Sequence, residues 1–256
     1  MRAVADPGRW GSARWVWGLS GLVTAAALAI PGARLITGAG TNGDNIYAAP
    51  QPVVTRTETV PQPVTSLVVQ SNGGQVQVTS ARVHRVHVTE TISYNQGTSP
   101  PVVTQSVSGG RLSLSDSACT HADCNVDFDV TVPADVTVTA STGGGPLAVR
   151  GVSGQLRAET DGGPLIAQDL ASATATFTTG GGSAMVTFAT APEKVSVSTD
   201  GGPAILAVPG GPYNLTANSD GGPQSVRIAT DPTALPSIAI TSGGGSLLVE
   251  PSRGAG

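Results

Sequence analysis

Between residues 141 and 249 one short phrase returns six times. It reads STGGGPLAV from Ser141, ETDGGPLIA from Glu159, TTGGGSAMV from Thr178, STDGGPAIL from Ser198, NSDGGPQSV from Asn218 and TSGGGSLLV from Thr241. Aligned on the hydroxyl residue before the glycines (Thr142, Thr160, Thr179, Thr199, Ser219 and Ser242), the copies stand 18, 19, 20, 20 and 23 residues apart. A period near that length restricts the chain to architectures built from equivalent supersecondary units.

The flanks define the unit. Two residues before each anchor stand Ala140, Ala158, Phe177, Val197, Ala217 and Ile240; four before stand Val138, Leu156, Ala175, Val195, Leu215 and Ile238. The positions between them are mostly polar. After the turn the first inward slot holds Leu147, Leu165, Ala184, Ala204, Gln224 and Leu247, and the next Val149, Ala167, Val186, Leu206, Val226 and Val249. This is period two, the pattern of a strand with one buried face. Each unit therefore reads strand, tight turn, strand, looser turn. Weaker copies precede it, with Leu67 and Val69 before Ser71, Val76 and Val78 after it, and Leu112 and Leu114 after Ser108-Gly109-Gly110.

The expected fold class is all-β. Its favoured form is a repetitive β-solenoid, a single-stranded β-helix-like stack with about 18–23 residues per coil, preceded by one N-terminal transmembrane helix. The alternative is an antiparallel β-sandwich, because Asp-Gly and Asn-Gly between alternating strands signal hairpins. Identical turn chemistry and small inward residues favour the solenoid, whose parallel strands stack about 4.8 Å apart. The turn residues Gly144, Gly145, Asp161, Gly162, Gly163, Gly181, Gly182, Asp200, Gly201, Gly202, Asp220, Gly221, Gly222, Gly244 and Gly245 are read as structural. Glycine supplies backbone angles that a Cβ forbids. Asp161, Asp200 and Asp220 are expected to accept turn amides. Pro146, Pro164, Pro203 and Pro223 restart strands where a missing N–H is tolerated.

The N-terminus is organised differently. Trp15 to Ala33 carries no charge over nineteen residues, close to the length of a bilayer-spanning helix. Arg2, Arg9 and Arg14 precede it, which keeps the N-terminus cytoplasmic and exports the rest. A cleaved signal peptide would export it equally. The expected organisation is a cytoplasmic tail (1–14), a signal-anchor helix (15–36), a Gly/Pro-rich linker (37–63), a β-repeat domain (64–251) and a flexible tail (252–256). The expected location is the cell membrane, single-pass, with the C-terminal domain extracytoplasmic.

Little in the sequence points to chemistry. Lys194 is the single lysine and the net charge is −4, so no basic stripe exists for nucleic acid. Cys119 and Cys124 are the only cysteines, and outside the cytoplasm such a pair reads as a disulfide. With His121 and Asp123 they could instead suit zinc, but no second ligand cluster is visible. Stacked coils would bring Asp200 and Asp220 within about 5 Å, close enough for calcium or for a shared proton. Gly143, Gly180 and Gly243 break that acidic ladder. Outward Thr176, Thr178, Ser196 and Ser198 read as a solvated strand face. His84 and His87, three residues apart, fall on opposite strand faces.

The stretch VDFDVTVPADVTVTASTGGGPLAVRGVSGQLRAETDGGPLIAQDL, from Val126 to Leu170, resembles the bacterial β-strand repeat family catalogued as an adhesin domain of unknown function. The resemblance covers Val64 to the C-terminus and is best after Val126. It implies a β-solenoid-like fold and no established activity; a membrane helix ahead of the domain is similar to many members. The reading that follows is a membrane-anchored extracytoplasmic module, adhesin-like or an envelope scaffold, without catalysis or cofactor. Its expected partners are the membrane and an envelope glycan or protein. The alternatives are a polysaccharide-acting β-helix enzyme using Asp200 and Asp220, or a sensory ectodomain with a membrane partner.

Overall fold

The computed structural model describes residues 51–95, 99–116 and 124–252. They fall in the second of two compact units, Ala48–Gly256. The expected cytoplasmic tail and transmembrane helix lie outside the described residues, as do residues 37–50 of the linker and 253–256 of the tail. Among the described residues no helix is long and apolar enough to cross a membrane.

The chain opens with β1 (Val53–Thr59), β2 (Ser66–Ser71), β3 (Val76–Ser80) and β4 (His87–Tyr94). A hairpin of β5 (Thr104–Ser108) and β6 (Arg111–Ser115) follows, then β7 (Cys124–Val132). From there strands come in pairs across the glycine turns: β8 (Thr137–Thr142) with β9 (Leu147–Arg150), β10 (Leu156–Thr160) with β11 (Leu165–Leu170), and β12 (Thr174–Thr179) with β13 (Ala184–Phe188). The last pairs are β14 (Lys194–Thr199) with β15 (Ala204–Val208), β16 (Asn214–Asn218) with β17 (Gln224–Val226), and β18 (Ser237–Ser242) with β19 (Leu247–Pro251). Residues 53–59, read from sequence as linker, are therefore strand. Val54, Arg56 and Glu58 alternate along β1, which pairs antiparallel with β4.

Two mixed sheets result. The first runs β1-β4-β7-β3-β9-β11-β13-β15-β19-β17 and the second β16-β18-β14-β12-β10-β8-β2-β6-β5. Each glycine turn that follows an anchor hydroxyl, Ser71 included, carries the chain from the second sheet to the first, whereas Gly109-Gly110, expected as a weaker copy, closes the β5–β6 hairpin within the second sheet. Antiparallel pairing is confined to β1–β4, β4–β7 and β5–β6. Every other pair is parallel, and the repeats align anchor on anchor: Thr142 with Thr160, Thr160 with Thr179, Thr179 with Thr199, Thr199 with Ser242. Register is this firm because a one-residue slip would turn every apolar side chain to water. The inward rows of both sheets form one core of Val, Leu, Ala and Ile, with Phe128, Phe177 and Phe188 its largest phenyl groups.

Spatial order departs from chain order at both ends. β2 lies between β6 and β8, and β18 lies between β14 and β16. The repeat containing Asn218 is consequently an outermost layer. Its inward slots are only partly covered: Leu215 and Ala217 are half-buried, and Gln224 and Val226 are exposed, where the equivalents in inner layers are buried.

Candidate functional site

The repeated turn has a structural function, and the geometry says which residue supplies what. All the anchor hydroxyls are buried, Ser71 of the weaker copy included. Gly163 N–H donates to Thr160 Oγ1 at 3.0 Å, Gly145 N–H to Thr142 Oγ1 at 3.2 Å, and Gly74 N–H to Ser71 Oγ at 2.9 Å. The same hydroxyls donate onward to carbonyls, Thr142 to Gly74 O at 2.9 Å and Ser242 to Gly202 O at 3.2 Å in the adjoining layer. Within its own turn, Thr199 donates to Gly202 O at 2.5 Å. A buried turn amide and carbonyl left unpaired would each be costly, so a small hydroxyl residue is required at this slot.

The last glycine of each turn is there for space. A Cβ on Gly145 would lie 2.1 Å from Gly74 O, on Gly163 2.0 Å from Gly145 O, on Gly182 1.9 Å from Gly163 O, on Gly202 2.0 Å from Gly182 O, and on Gly245 2.3 Å from Gly202 O. The turns are stacked backbone on backbone. Unusual backbone angles explain only Gly221 (φ 96°) and Gly244 (φ 108°) among the turn glycines singled out from sequence. Gly144, Gly162, Gly181 and Gly201 have open space around them.

The aspartates do not cap these turns as expected. Asp161 and Asp200 expose their carboxylates, and Asp220 accepts from the Asn218 side-chain amide at 2.9 Å rather than from a turn N–H. Nor do Asp200 and Asp220 adjoin. Because β18 intervenes, Gly243 separates them, and two strand spacings put them roughly 10 Å apart. Along the stack the position runs Asn72, Gly143, Asp161, Gly180, Asp200, Gly243, Asp220, so a glycine layer separates each aspartate from the next. The close contact expected of Asp200 and Asp220 as adjoining layers is therefore not formed. Among the described residues no group of three His, Cys, Asp or Glu is placed to hold a metal. Cys119, His121 and Asp123 lie outside the described residues, and Cys124 opens β7 half-buried. His84 and His87 are both exposed; His87 Nδ1 meets Thr59 Oγ1 at 2.9 Å.

Two features went unread in the sequence. The first is Asp116, buried at the end of β6. It accepts from Ser71 Oγ at 3.0 Å and from Asn72 N–H at 2.9 Å, closing the turn column at that end. Burial holds its carboxyl above the ordinary value of 3.8, and the Asn72 and Ser71 donors only partly offset this. An acid raised in the fold binds its proton more tightly there than in the unfolded chain. The resulting stabilisation is full below 3.8 and is lost as pH rises past the folded value. Asp116→Asn should flatten this dependence: in thermal melts, the parent gains on the variant as pH falls. Asp231, lowered by its Thr233 bonds, titrates in both chains and cancels in the difference.

The second is on the outer face of the first sheet. Ala148, Ile166, Met185, Ile205 and Leu248 align residue on residue across β9, β11, β13, β15 and β19. Ile166 and Met185 are 40% and 43% exposed. A signal was present: after the turn these repeats carry three consecutive apolar residues (Leu165-Ile166-Ala167, Ala184-Met185-Val186), where a strand with one wet face needs alternation. Polar groups border the row, including Gln168 and the Arg150–Asp169 ion pair at 2.9 Å. A shallow cavity of about 150 Å³ at its β3 end is lined by Gln77, Thr79, Ala148, Arg150, Ile166 and Gln168 among others. The outer row of the second sheet is polar, with Thr241 donating to Ser198 at 3.2 Å and Arg157 paired with Glu159 at 2.9 Å.

No family model matches the chain, and no curated protein matches it. Solved structures do. A candidate cell adhesion protein from Clostridium sporogenes is 12% identical, with 78% of this chain and 100% of that chain covered and a TM-score of 0.49. A candidate adhesin from Bacteroides fragilis is 12% identical over 77% of this chain and 97% of that one, with a TM-score of 0.40. A candidate lipid-binding protein from Parabacteroides distasonis is 11% identical over 76% and 96%, with a TM-score of 0.36. Likeness at this level carries no function across.

Proposed function

We propose that the chain is an adhesin-like binding module, anchored in the cell membrane through residues 15–36 and displayed outside the cytoplasm, whose layers are the coils of a β-solenoid. The coil reading is supported by the chain's passage from second sheet to first at each turn, with parallel register between repeats. The function rests on one observation above the others, the apolar row from Ala148 to Leu248. Five strands span roughly 19 Å at the normal strand spacing, an in-register strip with a polar border. Repeat-constant residues are spent on backbone geometry inside the turns, so the outward rows are where a partner is met. An envelope glycan or protein is the partner in this reading.

The test uses the full chain in its own membranes and, separately, in detergent with isolated envelope fragments. The chain should resist alkaline extraction and be digested by protease added to intact cells. It should co-sediment with envelope fragments, and Ile166→Glu with Met185→Glu should weaken that by roughly tenfold or more while circular dichroism is unchanged. Extraction of the parent as a soluble protein removes the anchor. Co-sedimentation that is absent in the parent, or equal in the variant, removes the binding role.

A further inference from the structure

The two sheets do not end together. Counting outward from β2 and β3, the second sheet continues with β6 and β5, while the first continues with β7, β4 and then β1. Among the described residues the first sheet thus has ten strands and the second nine. β1 overhangs a half-layer that no described strand fills. Its register with β4 sets Arg56 opposite Glu90 and Glu58 opposite Val88, so Arg56 and Glu58 share the inward face with the core row Val88, Glu90 and Ile92. A cavity of about 250 Å³ occupies the place of the missing strand, lined by Arg56, Glu58, Val88, Glu90, Val103 and Gln105.

Glu90 is the anomaly in that cavity. It occupies a slot of the apolar row and is only 8% exposed. It accepts no hydrogen bond and forms no ion-pair contact with a described residue, although the Arg56 charge acts on it. Among the described residues no buried side-chain oxygen lacks a hydrogen-bond partner, so the Glu90 carboxylate oxygens open onto the cavity, where Arg56 and Glu58 act on them and a guest's cation can reach them. The wall below is ready for a strand. Among the described residues β5 pairs only with β6, and Ser108 and Arg111 close a two-residue loop on Gly109 and Gly110. Hydrogen-bonded pairs therefore fall at Ser108, Ser106 and Thr104, and Gln105 and Val107 turn their backbone groups to the open edge. The Gln105 side-chain amide donates to Glu58, a single polar latch across the opening.

We propose that the open edge of β5, beneath the overhanging β1, takes an extended peptide strand from a protein partner, with a Lys or Arg of that strand meeting Glu90. The guest completes the short sheet by main-chain hydrogen bonding and adds a cation to a cavity where Arg56 faces two carboxylates, Glu58 and Glu90. The net charge of Arg56, Glu58 and Glu90 favours a cationic residue there. This site is separate from the outward apolar row and stands or falls independently of it.

The probe is a labelled Thr/Val-alternating peptide of about eight residues with a central Lys, set against its Lys→Glu counterpart. Binding to the full chain in detergent is read by fluorescence anisotropy. The Lys peptide should bind roughly tenfold more tightly or better, and Glu90→Gln, nearly isosteric, should abolish that preference with the melting curve showing a folded chain. The Ile166→Glu, Met185→Glu variant should retain it. No binding, equal binding of the two peptides, or a preference that survives Glu90→Gln overturns the proposal. A photo-crosslinker at Gln105 that captures residues 1–50 of the same chain, or a second copy, also overturns it, since the slot is then already taken.

Discussion

Gly163→Ala should cost more than about 4 kcal/mol and keep most of the chain from its native state. The added carbon would sit 2.0 Å from Gly145 O, 2.5 Å from Gly145 C and 2.8 Å from Gly144 O. All three are backbone atoms of the adjoining turn, so no rotamer change relieves the clash. Spreading the two layers would break the ladder on both sides, including Leu147 N–H to Pro164 O at 2.9 Å and Asp161 N–H to Thr142 O at 3.1 Å. Gly182 sits above Gly163 in the same relation, so the displacement is passed on. The control is one residue away. Gly162 has nothing within 4 Å of its Cβ position and no left-handed φ. Gly162→Ala should be neutral or stabilising by up to about 1 kcal/mol through the unfolded chain. Urea unfolding of the two variants decides it: similar midpoints would mean that the turns are not in backbone contact.

That contrast also marks how far the sequence could be read. Period, strand pairs and inward rows were legible because each depends on residues within one repeat: Leu165 and Ala167, for example, fall inward by alternation alone. The identity of the turn hydroxyl was legible as a pattern, but its reason was not, since Thr142 bonds Gly74 O, 68 residues away. Likewise Gly162 and Gly163 look equivalent in the sequence, and only the neighbouring layer distinguishes them. Asp200 and Asp220 are neighbours in the order of the repeats along the chain but not in the stack, where β18 inserts between their strands. Asp116 carries no local signal, and Glu90 shows only as an acid at an inward slot between Val88 and Ile92. Each is defined by an end of the stack, and nothing in a repeat states which repeat is last. The outward row at Ile166 and Met185 is written in the sequence as a break in alternation, an apolar residue at a position where a wet strand face takes a polar one.

Phe177→Ala should cost about 3–5 kcal/mol, toward the upper end, because the site cannot collapse. Phe177 is fully buried in β12, with Ala158 beside it on β10 and Val197 on β14. Ala158 is small, so the phenyl ring fills space that no neighbour can reach once it is gone. Both flanking strands are fixed at ladder distance by in-register pairing over five and six residues. The effect should also be uneven along the chain. In a stack each layer is held by its two neighbours, so a weakened layer divides the array. Beyond β12 and β13 lie only three strand pairs, and the outermost, β16 with β17, is poorly covered. Three layers with one frayed are near the minimum that such arrays need to stay folded. Amide exchange should therefore accelerate across β14 to β19 in the variant well before it does in β8 to β11, and the urea transition should broaden or split. Uniform acceleration with a single sharp transition would instead show that the two sheets unfold as one cooperative body, with the long core, rather than layer-to-layer pairing, setting the unit of stability.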